Sequence, residues 1–288
     1  MEKQTLMSAP TNASWLAPTE HLVNLRGISI HYLEWGEPTK RPLLLLHGGA
    51  AHAHWWDHIG PLLARNWRVL ALDLRGHGDS SWVSAPLHYQ VEDYVDDLTH
   101  FVLALKISSF VLLGHSLGGF VALSYAISHP LMLRALVVVD IGFRIGGNRY
   151  LRLLRQMPAP VYDDENDLYE RFRLLPVETR VAPEVLRGIA WHSVRSSPDG
   201  RLILKCDRAT LSREPRDVRT KFSHIQCPTL ILRGVESRNL TVTTLAEMTH
   251  LCPRARGEEI AGAGHHIFLD NPQEFLARVQ GFLGEIKE

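Results

Sequence analysis

The sequence predicts an α/β fold in which a mostly parallel, doubly wound sheet carries an inserted helical cap. Short apolar runs alternate with segments of helical period along most of the chain, a pattern typical of right-handed crossovers between parallel strands. This alternation stops after Asp140 and resumes only at the apolar run "CPTLILRG", so the stretch between them is expected to be an insertion. The predicted units are an N-terminal extension at 1–20, a core at 21–141 and 222–288, and the helical cap at 142–221.

The first half of the core is predicted to form strands and helices in turn. A strand pair is expected at "HLVNLRG" and "ISIHYLEWG", and the unbroken leucines of "RPLLLLHGG" predict a strand covered on both faces. The amphipathic segment "WWDHIGPLLAR" leads to the strand "WRVLALDLRG" and the helix "VEDYVDDLTHFVLALK". The strand "SFVLLGH", the helix "LGGFVALSYAISH", which Pro130 ends, and the buried strand "LRALVVVD" follow.

The predicted cap differs from the core in charge and pattern. Between Gly142 and Phe222 the chain carries 14 Arg and 2 Lys against 11 Asp and Glu, although its formal net charge as a whole is zero. This stretch is helix-prone and irregular. The core then continues with the strand "CPTLILRG", the helix "TVTTLAEMTHL", the strand "RGEEIAGAG" and the final helix "NPQEFLARVQGFLGEI".

Composition excludes several classes of protein. The 288 residues, 45% apolar and neutral overall, suit one globular domain with an insertion and give no sign of binding nucleic acid or a membrane surface. The N-terminal stretch has no apolar signal region and no run approaches the ~20 apolar residues of a membrane span, so a cytoplasmic protein is expected. Cys206, Cys227 and Cys252 are expected to be reduced, partly buried thiols. A monomer and a homodimer are both compatible with the sequence.

A nucleophile is predicted at Ser116, within "GHSLG". This G-x-S-x-G segment follows an apolar strand and precedes a helix, the setting in which a sharp turn lifts a serine hydroxyl out of a sheet. Gly114 and Gly118 are expected because side chains there would collide across the turn. The alternative is a glycine-rich turn with an incidental serine.

A serine needs a base to take its proton, and His265 in "GAGHHIFLDNP" is the candidate. It is predicted on the loop between the last strand and the last helix, where Gly262 and Gly264 keep the loop compact. His266 is the weaker candidate because adjacent residues usually point apart. The alternative for both is a loop or capping histidine.

The amides of Gly49 and Leu117 are the predicted donors to an oxyanion. Gly49 lies in the run "HGGA" directly after a strand, and Leu117 follows the nucleophile. Nearby, His54 and His58 have a helical spacing that raises a metal site as an alternative. Without carboxylate or thiol ligands at suitable spacing, we expect no metal there and assign the histidines to a pocket rim or to hydrogen bonds.

These motifs, in their order along the chain, resemble the α/β-hydrolase fold family, in its serine-nucleophile branch with a helical cap. The resemblance covers nearly all of residues 20–286. It implies an esterase-like enzyme with no cofactor, no metal, and a small-molecule acyl substrate. Asp73 and Ser80, in "DLRGHGDS", are assigned no catalytic role. The motifs that carry the resemblance are "LLLLHGG", "ALDLRGHGDSSW", "LLGHSLGGFVAL", "VVVDIG", "PTLILRG" and "GAGHHIFLDNPQEF".

The catalytic acid is where the sequence departs from the family. The resemblance implies an acid three residues beyond Gly234, and this chain has Ser237 there. Asp140 is the favoured replacement, because it ends the strand after the one that leads to Ser116, a place from which some family members take their acid. Glu236 is the alternative acid. A third possibility is that no acid works and the protein binds a ligand without efficient turnover.

The resulting prediction is a carboxylic-ester hydrolase that acts on a small or medium substrate through an acyl-enzyme. Cleavage of C–C bonds, lactones or thioesters, acyl transfer, and a non-catalytic binding role remain alternatives. Arginines of the cap, including Arg144, Arg149, Arg152 and Arg155, form a further hypothesis: they bind a substrate carboxylate or phosphate. The alternative is a solvated helix face paired with the acidic stretch "DDENDLYE".

Overall fold

The computed structural model describes residues 17–84 and 89–286, so most of the predicted N-terminal extension, 1–20, lies outside the described residues. An eight-stranded sheet forms the core. Its strands are β1 (Thr19–Leu25), β2 (Ile28–Trp35), β3 (Pro42–Leu46), β4 (Arg68–Leu72), β5 (Phe110–His115), β6 (Leu133–Val139), β12 (Thr229–Gly234) and β13 (Ala255–Ile260). They lie in the spatial order β1-β2-β4-β3-β5-β6-β12-β13, and the strands numbered between β6 and β12 belong to the insertion.

The sheet is mostly parallel and doubly wound, as predicted. β1 pairs antiparallel with β2 and β2 antiparallel with β4, and the other five pairings are parallel. β4 and β5 lie on opposite sides of β3, so the direction of winding reverses at β3. In such sheets ligands bind outside the carboxyl ends of the strands at this switch point. The segments after β3 and β5 are therefore brought together where a site is expected.

The strand predicted to be covered on both faces is confirmed. Leu43, Leu44, Leu45 and Leu46 are all fully buried, with alternate leucines facing two separate apolar layers. The core helices are α1 (Gly60–Leu63), α2 (Val91–Ala104), α3 (Leu117–Ser128), α7 (Val242–Leu251), α8 (Ile267–Asp270) and α9 (Pro272–Gly284). They cover both faces of the sheet, since α2 and α3 pack with one layer and α9 with the other.

The amphipathic segment "WWDHIGPLLAR" does not form one continuous helix. It forms a short 3-10 helix, Ala53–Trp56, and then the single turn α1. Pro61 has no N–H and cannot continue a helix from the preceding turn, so it starts a new one. Gly60 packs against the Trp35 ring, where a Cβ would lie 2.9 Å from ring carbons. The break therefore brings the chain close to β2.

The insertion between β6 and β12 contains helices and also two small sheets that the sequence did not predict. Its helices are α4 (Arg149–Gln156), α5 (Glu165–Arg171) and α6 (Pro183–His192). Its strands are β7 (Arg144–Ile145), β8 (Val161–Tyr162), β9 (Val194–Ser196), β10 (Leu202–Leu204) and β11 (Arg216–Asp217). One sheet has the order β8-β10-β9 and the other pairs β11 with β7. Strands of two or three residues are too short to show an alternating pattern.

Two remaining expectations concern thiols and membrane spans. Cys206, Cys227 and Cys252 are free and the last two are buried, and that they are reduced in the cell stays a prediction. Among the helices of residues 17–84 and 89–286, none combines the length and the apolar character that crossing a bilayer requires.

The glycines of the turn around Ser116 are sterically required, as predicted. A Cβ at Gly114 would lie 2.2 Å from the Gly118 carbonyl oxygen, so Gly114→Ala is expected to destabilise the fold by about 3 kcal/mol. A Cβ at Gly188, in α6, would meet no atom within 4 Å, so Gly188→Ala should be neutral or stabilising by ~0.5–1 kcal/mol. Urea unfolding of both variants tests the contrast, and equal stabilities would contradict it.

Candidate functional site

Ser116 lies between β5 and α3 with a backbone conformation that serine rarely adopts. Its φ is 51° and its ψ is −114°, and its amide donates to the Val139 carbonyl at 3.0 Å. A positive φ in a residue other than glycine stores strain that the surrounding structure must hold. The Gly118 amide, which donates to the His47 carbonyl at 3.0 Å, fixes the other side of the turn. The geometry agrees with the predicted strand, turn and helix.

His265 and Asp140 are brought together across the sheet. The Nδ1 of His265 lies 2.7 Å from Oδ2 of Asp140, and the carboxylate is fully buried. Asp140 directly follows β6, and its φ of 52° is again in the left-handed region. With Nδ1 donating to the carboxylate, Nε2 is the nitrogen of His265 that remains to accept a proton. This tautomer is the one that a general base needs.

Ser237, at the position where the resemblance implied an acid, is a partner of Asp140. Its hydroxyl donates to Oδ2 of Asp140. The Gly234 amide approaches Oδ1 at 3.4 Å. The carboxylate thus receives hydrogen bonds from the end of β12 and from the loop after it, which is the loop that would otherwise carry the acid. A carboxylate in place of Ser237 would be repelled by the buried carboxylate of Asp140, which accounts for a serine at this position.

Glu236, the alternative acid, is not in contact with His265 among the described residues. Its carboxylate is 47% exposed and accepts two hydrogen bonds from Nη2 of Arg180, at 2.7 and 2.9 Å. The geometry therefore favours Asp140, and it assigns Glu236 to a contact between the core and the insertion.

Ser116 and His265 face one cavity, which we call the reactive chamber. It has a volume of about 350 Å³, and the predicted oxyanion donors Gly49 and Leu117 also line it. Ala50 lies beside Gly49 with φ 60°, a third strained residue at this end of the sheet. The Leu117 amide lies at the N-terminus of α3, where the helix dipole favours negative charge. The chamber can hold a carbonyl between a nucleophile, a base and backbone donors.

A second cavity, which we call the cap chamber, adjoins the first. It has a volume of about 230 Å³ and lies between the core and the insertion. Four residues line both cavities: Gly49, Ala50, Leu175 and Leu211. A substrate whose reacting carbonyl lies beside Ser116 can therefore extend past Gly49 and Ala50 beneath the insertion.

Another serine and histidine pair lies nearby but has a different geometry. The Nε2 of His52 is 2.9 Å from Oγ of Ser193, and Ser193 also donates to the Ile189 carbonyl at 2.7 Å. Ser193 follows α6 in an ordinary right-handed conformation. Burial lowers the pKa of His52 well below its usual value. The pair resembles a satisfied polar contact between core and insertion more than an activated nucleophile.

Two groups of side chains have the composition of metal ligands. In one, His54 lies 2.9 Å from Asp57 and its ring stacks on His192 at 3.5 Å. In the other, His31 lies 2.8 Å from Asp73, whose oxygens also accept backbone amides from residues 53 and 79. Both groups contain hydrogen bonds of their own, although Oδ1 of Asp57 and Nε2 of His31 are buried and have no hydrogen-bond partner among the described residues. The absence of a metal stays a prediction.

His266, the weaker candidate for the base, has a structural contact. Its Nε2–H donates to the Pro176 carbonyl at 2.9 Å, and burial lowers its pKa to about 4. It therefore stays neutral at physiological pH and holds the insertion against the core. Burial also lowers the pKa of six other histidines, with His77 at about 3; the others are His47, His52, His58, His115 and His192.

Buried neutral histidines predict that the fold weakens in mild acid. The unfolded chain binds a proton at each histidine near pH 6.5, whereas folded His77 and His266, with pKa values of about 3 and about 4, take theirs only at much lower pH. Stability is therefore lost as the pH falls below 6.5, by about 2 kcal/mol per such histidine between pH 7 and 5. Urea unfolding across this range measures the loss. His77→Gln should lose less than wild type, and equal slopes would contradict the assignment to His77.

Asp270 connects the loop that contains Gly264 and His265 to the insertion. Its Oδ2 accepts from the Gly264 amide at 2.9 Å, while Oδ1 accepts from Thr179 Oγ1 and from the Arg180 amide, both at 2.6 Å. One carboxylate thus fixes the residue before His265 and a segment of the insertion together.

Sequence reasoning did not identify the supporting residues Ser237, Arg180 and Asp270. Their contacts with Asp140, Glu236 and Thr179 join residues more than 50 positions apart, which no local pattern reveals. Weak signals existed for Ser237, at the position where the resemblance implied an acid, and for Asp270, which lies within the motif "GAGHHIFLDNPQEF".

The chain is similar in sequence to known proteins over most of its length. A family profile described as alpha/beta hydrolase fold matches residues 41–272. The sn-1-specific diacylglycerol lipase ABHD11 of Danio rerio is 30% identical over 268 residues, which cover 86% of this chain and 80% of that protein. The match thus spans both the core and the insertion.

Two further similarities are narrower in what they show. The serine hydrolase-like protein of Danio rerio is 38% identical over 106 residues, and the match spans only 32% of that relative's length. The crystal structure of E-2-(acetamidomethylene)succinate hydrolase aligns with a TM-score of 0.81 and 21% identity, covering 93% of this chain and 99% of that one. At this identity the likeness concerns the fold alone.

Proposed function

Because the chain belongs to the α/β-hydrolase fold family, we propose that it is a serine hydrolase cleaving a carboxylic ester, or a related acyl bond, of a small to medium substrate. The observation that carries the proposal is the contact of 2.7 Å between His265 and the buried Asp140, beside a chamber that also contains Ser116. A histidine held in this tautomer, lining the same chamber as a strained serine, is the arrangement that acyl transfer needs. The diacylglycerol lipase relative favours an ester as the scissile bond.

In the first half of the proposed reaction, His265 acts as base. Its Nε2 takes the proton of Ser116 as the serine oxygen attacks the substrate carbonyl. The amides of Gly49 and Leu117 donate to the oxyanion that forms. His265, now positively charged and stabilised by Asp140, gives its proton to the leaving alcohol, and the acyl group remains on Ser116.

In the second half, water replaces the alcohol. His265 takes a proton from the water as it attacks the acyl carbon, and the same backbone donors hold the second oxyanion. Collapse of this intermediate returns the proton from His265 to the Ser116 oxygen and releases the acid. Each proton is returned, so the cycle uses only the ester and water.

A fluorophosphonate probe tests the nucleophile directly. The probe should label one serine, and peptide mapping by mass spectrometry should place the label on Ser116. Ser193 is the internal comparison, because it also contacts a histidine, at 2.9 Å, but lies on an unstrained backbone. A label on Ser193 would reassign the nucleophile, and no label in a folded protein would make a ligand-binding protein the better account.

A further inference from the structure

The cap chamber combines apolar walls with unbalanced positive charge. Among the described residues that line it, none is an aspartate or glutamate, and the apolar surface includes Trp55, Phe172 and Leu204. Four cationic side chains also line it: Arg171, Arg173, Lys205 and Arg208. A cavity of this kind does not suit a wholly apolar ligand, because such a ligand would cover donor groups of these cations without offering them an acceptor.

Partners outside the chamber balance two of these cations. Arg171 forms an ion pair with Asp167 at 2.5 Å, and Lys205 forms one with Asp79 at 2.7 Å. Arg173 is exposed and donates to the Phe172 carbonyl at 2.7 Å. The positive charge of each of these three side chains is therefore balanced by an ion pair or solvated by water.

The positive charge of Arg208 has no such ion-pair partner among the described residues. Its Nε is buried and has no hydrogen-bond partner in the part of the chain that the structure describes, and no carboxylate there lies within ion-pair distance. The neighbouring Asp207 is already used, since its Oδ2 accepts from the Tyr89 hydroxyl at 2.7 Å and its Oδ1 from the Ala209 amide at 2.9 Å. A guanidinium cannot lose its proton to relieve this, so a buried donor remains unpaired.

The shape of the site suggests which ligand group would accept a hydrogen bond from the unpaired donor of Arg208. A guanidinium presents its donors in a planar fork that matches a carboxylate. The cap chamber joins the reactive chamber along Gly49 and Ala50, so an acyl chain bound through Ser116 can run between apolar walls towards Arg208. A carboxylate at the far end of that chain would supply the missing acceptor.

We propose that the cap chamber binds the terminal carboxylate of the acyl group through Arg208, which makes the substrate the monoester of a dicarboxylic acid. This inference rests on the proposed function, because it takes an acyl group on Ser116 as its starting point. It adds a specificity-determining residue that does not touch the reacting atoms.

Matched esters test the proposal. Mono-p-nitrophenyl adipate and p-nitrophenyl hexanoate carry acyl chains of the same length with and without a terminal carboxylate. The wild-type protein should prefer the half ester in kcat/KM, and Arg208→Gln should reduce that preference by roughly 10- to 100-fold, as expected for a hydrogen bond between charged groups. The succinate and suberate half esters show which chain length places the carboxylate best.

The control is Arg187→Gln. Arg187 is an exposed cation of the same insertion and lines neither chamber, so its removal changes the net charge equally but should leave the preference unchanged. Arg208→Lys keeps the charge without the fork and should retain part of the preference. Equal losses in Arg187→Gln and Arg208→Gln would reduce the effect to general electrostatics and overturn the proposal, as would a wild-type preference for the neutral ester.

A binding measurement separates this proposal from the proposed function. Calorimetric titration of Ser116→Ala with adipate should show saturable binding that weakens at least tenfold when Arg208→Gln is added. If wild type hydrolyses neither ester but adipate binding depends on Arg208, the ester hydrolase is wrong and the subsite stands. If both esters are hydrolysed and Arg208→Gln leaves both the preference and adipate binding unchanged, the subsite is wrong and the hydrolase stands.

Discussion

Replacing Asp140 by asparagine is expected to lower kcat for a short-chain p-nitrophenyl ester by about 10⁴. The buried carboxylate accepts from Nδ1 of His265 at 2.7 Å, which keeps Nε2 free to receive the serine proton. An asparagine amide can instead donate to Nδ1 and so favour the opposite tautomer, and it has no charge to stabilise the imidazolium. The rate should fall while the protein stays folded, as circular dichroism and urea unfolding can verify.

The backbone at Asp140 makes this substitution a fair test. Its φ is 52°, a region that asparagine tolerates better than most residues. The Ser237 hydroxyl faces the same oxygen as Nδ1 of His265, and it can rotate to accept from the asparagine NH2 group instead of donating. A loss of activity can therefore be assigned to the chemistry of the acid.

Glu236→Gln is the matched control for the acid. Glu236 is exposed and bound to Arg180, so the variant should change kcat by less than about threefold, the effect of a surface ion pair. If Glu236→Gln lost the activity and Asp140→Asn kept it, the catalytic acid would be Glu236. If both variants were fully active, His265 would need no acid and the proposed mechanism would have to be revised.

Ser116→Ala is expected to lower kcat by about 10⁶, since the loss of a catalytic serine removes the acyl-enzyme route entirely. Some acceleration over the uncatalysed reaction should persist, because the backbone donors of Gly49 and Leu117 remain. Alanine adds no atoms to the strained turn, so the fold should be kept. Steady-state hydrolysis of the same ester, with enzyme concentration verified by absorbance, measures the loss.

Ser193→Ala is the comparison for Ser116→Ala. It removes hydrogen bonds of Ser193 to His52 and to the Ile189 carbonyl, so it should reduce stability by about 1 kcal/mol or more. Its kcat should stay within a few-fold of wild type. A collapse of activity in Ser193→Ala with full activity in Ser116→Ala would move the nucleophile to the insertion.

The sheet could be predicted from the sequence because its strands have simple local signals. Runs such as Leu43 to Leu46 are buried on both faces, and a run with no polar residue has few other structures open to it. Ser116 also has a local signal, because the glycines on either side of it indicate a tightly packed turn. His265 followed from its place between the last strand and the last helix.

The acid and the insertion could not be settled in the same way. Asp140 and Glu236 are both carboxylates near strand ends, and the choice between them depends on the left-handed backbone at Asp140 and on the capture of Glu236 by Arg180. Both features arise from contacts distant in the chain. The small strands of the insertion are two or three residues long, so their pairing depends on tertiary contacts rather than on a local pattern.

The hydrogen bonds of Asp270 link the position of the insertion to the position of the residue before His265. Because the same carboxylate holds Thr179 and Gly264, a movement of the insertion away from the core would release the residue that precedes His265. The open form would then admit substrate with its base misplaced, and closure around the bound ligand would assemble the catalytic groups. Turnover would then depend on this closure. Water that entered an open site without substrate would find His265 displaced from its catalytic position.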